Sequence, residues 1–209
     1  MSPITTIHHP LIDNAIAHMR DVSTPSSEFR RLAKLASRVA AVEVLRFLST
    51  ERRTVTTPIQ NTEAQFLVTP TLCVVGVLRA ALIMVDAVVD LVPEAVIGHI
   101  GIARDETTAL PREYLVRLPR GLDHTPVLVV DPMLATGGSA IHALDVLVRH
   151  GASAIDVLSL IAAPEGAAAV AAAHPNVTLW TCALDERLND RNYIVPGLGD
   201  AGDRLFGTL

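Results

Sequence analysis

Apolar residues recur at three- and four-residue steps from Phe29 through Leu32, Leu35, Val39, Val42 and Leu45 to Leu48. That spacing predicts a long amphipathic helix near the N-terminus, with a cap expected at Ser26 or Ser27. Residues 50–70 change character. They are rich in threonine and other polar residues, with Val55, Ile59 and Phe66 spaced along them. Such a segment reads as an extended arm or hairpin outside the main sheet; a plain surface loop is the competing reading.

Beyond residue 71 the pattern alternates between short apolar runs and helical periodicity. Strands are predicted over 72–77, 95–103, 127–131, 154–161 and 177–183, with a short one over 114–118. Helices are predicted over 80–91, 139–150 and 164–173. This alternation predicts an α/β fold, a mostly parallel sheet flanked by helices on both faces. Ligands then bind at the carboxyl ends of the strands. Arg79, Arg104 and Asp131 all follow predicted strand ends.

Length changes the picture little: 209 residues suit a single domain over 1–209. Half the residues are hydrophobic and 19% are charged, so a large core is expected and disorder is not. The net charge of -5 and an aromatic fraction of 3% argue against a nucleic-acid partner. No run of about 18 uninterrupted apolar residues occurs, so no membrane span is expected. No signal peptide is legible either, and a cytoplasmic location is expected. Cys73 and Cys182 lie in apolar, strand-like surroundings and lack metal-ligand spacing; both read as buried thiols. The eight histidines share no metal-binding pattern, and none is assigned to catalysis.

The segment VLVVDPMLATGGSA, residues 127–140, carries the chemistry. Val127, Leu128, Val129 and Val130 form a run suited to a strand buried on both faces. Asp131 follows, then the small-residue loop Ala135, Thr136, Gly137, Gly138 and Ser139, then a helix. Glycines let backbone N–H groups approach an anion, and a helix N-terminus favours one. No lysine follows the last glycine, so this is not a Walker loop, and G-x-G-x-x-G is absent. An acid directly before the loop suits a sugar phosphate: the carboxylate can accept from ring hydroxyls while the loop holds the phosphate. An ordinary strand–turn–helix corner is the competing reading. A second glycine cluster, Gly197, Gly199 and Gly202 beside Pro196, indicates a tight, specified loop near the C-terminus.

DPMLATGGS resembles the 5-phosphoribosyl 1-pyrophosphate (PRPP) loop of type I phosphoribosyltransferases, in the form carried by uracil phosphoribosyltransferases. YIVPGLGDAGDRLFGT, from residue 193, is similar to that family's uracil-binding segment. VLRAAL at 77–82, ARDETT at 103–108, AAPEG at 162–166 and HHPL at 8–11 also fit. The family usually has glycine where Ala81 stands, and an aromatic or small residue where Ala103 stands.

The resemblance implies a transferase that joins uracil N1 to the 5-phosphoribosyl group of PRPP, giving UMP and pyrophosphate. It implies PRPP contacts from Asp131, Pro132, Met133, Leu134, Ala135, Thr136, Gly137, Gly138 and Ser139. Arg79 and Arg104 would grip the pyrophosphate, and Asp200 would bind PRPP hydroxyls, metal-bound water or a proton. Ile194, Gly199, Asp200 and Ala201, within a C-terminal segment 184–209, would contact uracil, mainly through backbone atoms. Pro132 stands where related enzymes carry a second acid. Mg²⁺ is therefore expected to be held mainly by PRPP oxygens and water, with no protein metal ligand. For Arg104 a surface charge cluster is the competing reading. A homodimer or larger homo-oligomer is expected, with GTP as an effector in some family members. The rival functions are a non-catalytic PRPP- or UMP-sensing regulator on the same fold and a transferase for another base.

Overall fold

The computed structural model describes residues 4–68, 72–104 and 111–208. The chain opens with strand β1 (Thr5–Thr6), helix α1 (Pro10–Arg20) and helix α2 (Ser26–Val44). A hairpin follows, β2 (Thr50–Thr56) and β3 (Asn61–Leu67). Next come β4 (Cys73–Leu78), α3 (Leu82–Val89), β5 (Val96–Arg104) and β6 (Pro111–Arg117). The cradle region contains β7 (Val127–Val130), β8 (Met133–Leu134) and α4 (Gly138–Arg149). Then come β9 (Ile155–Ala162), α5 (Pro164–Ala173) and β10 (Thr178–Leu184). A small pair, β11 (Arg187–Leu188) and β12 (Ile194–Val195), precedes α6 (Ala201–Phe206).

The main sheet runs β1-β10-β9-β7-β4-β5-β6, with β8 also pairing β9. All its pairings are parallel except β5 with β6. Adjacent strand residues point to opposite faces, and this divides the core in two. Val74, Leu128, Val130 and Leu158 pack with α1, α2 and α3. Cys73, Val75, Val127, Val129 and Val157 pack with α4 and α5. Both faces are covered, which is why these strands read as continuous apolar runs.

The predicted alternation is present, with boundaries shifted by a residue or two, except that β6 begins three residues before the expected start at 114. The arm at 50–70 is a two-stranded antiparallel hairpin that forms its own sheet, with register Thr50↔Leu67 to Thr56↔Asn61. The expected cap differs. Ser26 and Ser27 lie inside α2, Pro25 stands at the cap, and no side chain bonds there. Proline's fixed φ sets the entry to the helix instead.

Helix α1 goes beyond the sequence reading. Ile12, Ala15, Ile16 and Met19 face the core at helical spacing. Its cap is His9, whose Nδ1 accepts from the Leu11 N–H at 3.1 Å, with Pro10 in the first turn. Both cysteines are buried and free, and burial pushes the Cys73 thiol up to about 11. No helix among the described residues is long and apolar enough to cross a membrane.

Candidate active site

The PRPP-like loop sits where β7 ends, at the carboxyl edge of the parallel sheet. β8 continues past β7 and pairs with β9, as Met133↔Ile161 and Leu134↔Ala162. The Pro132 carbonyl accepts from the Leu160 and Ile161 N–H groups, each at 3.1 Å. The loop floor is thus pinned to the sheet.

Gly137 then turns the chain into α4 with φ 83°, a region that L side chains disfavour. A Cβ on Gly137 would lie 2.9 Å from the Gly166 carbonyl oxygen. A Cβ on Gly166 would lie 2.1 Å from the Ala135 oxygen. AAPEG and the cradle are therefore two halves of one close backbone contact. Thr136 Oγ1 accepts from the Gly138 N–H at 3.4 Å, so that hydroxyl braces the turn. Ser139 and Ala140 lie in the first helical turn, where backbone donors have no intrahelical partner.

A cavity of about 280 Å³ opens on this loop. Asp131, Met133, Leu134, Ala135, Thr136, Gly137, Gly138 and Ser139 line it, together with Asp200. Pro132 is buried and lines neither this cavity nor its neighbour. Arg191, Asn192 and Tyr193, from the turn between β11 and β12, also line it. Sequence reasoning did not assign this turn a role. Arg191 brings the cavity a cation that the loop itself lacks, and only tertiary proximity reveals it.

A second cavity of about 470 Å³ adjoins the first. It contains Arg79, Ala103, Tyr114, Ala201 and Phe206, and it shares Asp131, Met133 and Asp200 with its neighbour. Arg79 is exposed, just past β4. Ala81 is fully buried in the core against α2 and α3, so its methyl group does not enter the cavity. Ala103 lines the cavity rim and pairs with Arg112 across the sheet. Arg104 ends β5, opposite Pro111. Its side chain and residues 105–110, which hold most of ARDETT, lie outside the described residues.

Asp131 stands at the junction of the two cavities. Its Oδ1 accepts weakly from the Met133 N–H at 3.3 Å. Removal from water pushes its carboxyl up to about 7, and the Met133 bond opposes this only slightly. Between about 4 and 7 the folded protein holds a proton that the unfolded chain has released, so Asp131 by itself makes stability fall as pH rises across that window. A ligand hydroxyl that donates to the carboxylate needs the ionised form. UMP affinity should therefore fall as pH drops from 8 to 6, and Asp131→Asn should flatten that component. The phosphate's own ionisation near pH 6 is common to both proteins. Identical pH profiles in calorimetric titrations would show that Asp131 takes no part in binding.

Asp200 caps α6: its Oδ1 accepts from the Asp203 N–H at 3.0 Å. Ala201 and Gly202 follow in the first turn and line the second cavity. Ile194 and Gly199 line neither cavity. Ile194 is buried in β12, and its carbonyl oxygen would lie 2.2 Å from a Cβ on Gly197.

The glycine loop is held from the far end of the chain. Arg20, at the end of α1, donates to Asp185 Oδ2 at 2.8 Å and to the Gly197 carbonyl at 2.7 Å. Its other terminal nitrogen pairs with Asp185 Oδ1. Asp185 Oδ2 also accepts from the Gly197 N–H at 2.8 Å. Both polar groups of Gly197 are thereby fixed by one ion pair, which no local sequence signal announces. Arg204 completes the anchor. It donates to the carbonyls of Met19, Leu198 and Asp21, the last two at 2.9 and 2.6 Å, and its guanidinium lies 4.5 Å from the Phe29 ring centroid.

An anion cradle over a parallel sheet, joined through Asp131 and Asp200 to an arginine-bearing cavity, is the architecture of a type I phosphoribosyltransferase. Solved structures share this fold. The adenine phosphoribosyl transferase from Trypanosoma brucei superposes with a TM-score of 0.61 at 14% identity, covering 92% of this chain and 87% of that one. The AQ2163 protein from Aquifex aeolicus superposes with a TM-score of 0.92 at 35% identity over 97% of both chains. Sequence similarity narrows the class. The uracil phosphoribosyltransferase family model matches residues 6–208. Uracil phosphoribosyltransferases of Streptococcus pneumoniae and Geobacillus kaustophilus are 50% and 47% identical over the whole of both chains. The chain belongs to the uracil phosphoribosyltransferase family.

Proposed function

We propose that this protein transfers the 5-phosphoribosyl group of PRPP to N1 of uracil, releasing pyrophosphate and forming UMP. The carrying observation is the pair of cavities meeting at Asp131 and Asp200, one suited to a phosphate and the other to pyrophosphate and base. The bond from the anomeric carbon to the pyrophosphate oxygen breaks, the bond to uracil N1 forms, and the N1 proton is lost. The anomeric carbon belongs at the junction, with the 5-phosphate on the loop 135–139 and a ribose hydroxyl on Asp131. Arg191 would add attraction for the 5-phosphate.

Negative charge grows on the leaving pyrophosphate. Arg79 can meet it with a planar fork of donors, and Arg104 ends the neighbouring strand β5. The uracil carbonyls can accept from backbone donors of the Asp200–Gly202 turn, which lines the second cavity. Among the described residues no group of three His, Cys, Asp or Glu could hold a metal ion. Mg²⁺ would enter mainly on PRPP oxygens and water, where it would offset charge on the leaving group. Among the described residues no side chain lining the two cavities stands out as a strong base.

Incubation with uracil and PRPP, with release of pyrophosphate followed, tests the reading; no UMP under Mg²⁺ would overturn it. Arg79→Lys keeps the charge and loses the fork. A clear fall in kcat/KM for PRPP is expected, with the melting temperature nearly unchanged, because the side chain is exposed. Wild-type kinetics would make Arg79 a mere surface charge.

Self-association is part of the same proposal. The hairpin β2–β3 lies outside the main sheet and exposes Ile59, Phe66, Leu67 and Val68, a pattern suited to burial against a second copy. Light scattering should give at least a dimer; adding GTP to the activity assay tests the effector expectation.

A further inference from the structure

Phe206 ends α6 and is 41% exposed. It lines the same cavity as Arg79. The Arg79 guanidinium lies over this ring, 5.7 Å from its centroid. Among the described residues no hydrogen bond or ion pair engages that guanidinium, so the ring is its one side-chain neighbour of note.

Stacking uses the face of a guanidinium and leaves its in-plane N–H donors free. The platform itself is fixed. The Asp200 cap starts α6. Arg204 ties the helix to the end of α1, and Arg30 donates to the Leu205 carbonyl at 2.7 Å. The turn that meets the base and the ring that meets Arg79 therefore ride on one short, anchored helix.

We infer that Phe206 is a positioning residue: its ring holds the Arg79 guanidinium edge-on to the departing pyrophosphate. The inference rests on the proposed transferase reading. It predicts a separation between ligands. PRPP and pyrophosphate engage Arg79, whereas UMP has no pyrophosphate and does not need it.

Phe206→Leu keeps an apolar side chain and removes the π face. Its kcat/KM for PRPP should fall on the order of fivefold, in line with a partly exposed cation–π contact. The dissociation constant for pyrophosphate should rise in parallel. UMP affinity should stay within about twofold of wild type, because the anchors of α6 are untouched. Phe206→Tyr should restore PRPP and pyrophosphate behaviour. In an Arg79→Ala background, Phe206→Leu should have no further effect on pyrophosphate binding.

A parallel loss of UMP affinity would overturn the inference, since the ring would then merely hold α6 in place. Unchanged PRPP and pyrophosphate constants in Phe206→Leu, or losses that add in the double variant, would also overturn it. Failure of wild-type turnover would strike the proposed reaction instead, and the pyrophosphate and UMP titrations would still read the Arg79–Phe206 contact.

Discussion

Gly137→Val should abolish measurable UMP and PRPP binding while leaving a folded protein. Two costs fall on one position. The backbone sits at φ 83°, where an L side chain loses about 1–2 kcal/mol and a β-branched one more. The new Cβ would also meet the Gly166 carbonyl oxygen at 2.9 Å and a Val170 methyl group at 3.2 Å. The Gly166 carbonyl cannot yield without moving the start of α5 away from the cradle. The loop must then change course, and its N–H groups no longer converge on a phosphate. The side chain points at the protein and not at the ligand, so the damage to binding runs through the backbone.

Gly121→Val separates strain from function. Gly121 has a similar φ of 79°, yet a Cβ there meets nothing within 4 Å, and it lies outside both cavities. That variant should melt lower and bind UMP as wild type does. Calorimetric titration of both variants with UMP is the deciding measurement. Retention of normal UMP affinity in Gly137→Val would make the loop a structural corner and remove the phosphate site.

Uracil should exceed cytosine as substrate by on the order of 10⁴-fold in kcat/KM. The argument turns on where backbone donors are placed. Ala201 and Gly202 line the second cavity in the first turn of α6, where helical bonding leaves N–H groups unused. A carbonyl oxygen of uracil can accept from such a group. Cytosine presents an amine in place of O4 and an acceptor in place of the N3 proton, so the same groups are left mispaired in a partly desolvated site.

The turn cannot easily adapt, because Arg20 and Asp185 hold both polar groups of the Gly197 peptide. Initial-rate measurements with the two bases at equal concentration decide it. Similar turnover of both would mean that the loop does not read the base through its main chain.

What the chain announces by itself is what neighbouring residues decide together. Val127 to Val130 reads as a strand because it is buried on both faces, and such a strand carries no polar alternation. The cradle was legible because acid, glycines and helix start lie within one short stretch. The amphipathic stripe of α2 was legible for the same local reason, though its cap was not, since Pro25 replaces the side-chain bond that serines would make. Helix α1 carries an apolar stripe but no ordinary start signal, since its cap is a histidine.

Tertiary structure alone decided the rest. Ala81 could have pointed its methyl into the cavity or into the core, and only packing against α2 and α3 sends it inward. Arg20 reaches Asp185 and Gly197, Arg204 reaches Met19, Arg191 reaches the cradle, and Arg79 meets Phe206, all across large separations in sequence. Burial at the meeting point of the two cavities pushes the Asp131 carboxyl up, and that burial too is a product of the fold. Periodicity and turn chemistry are properties of adjacent residues and can be read in order. These contacts exist only because burying both faces of the sheet brings the two ends of the chain together at its carboxyl edge.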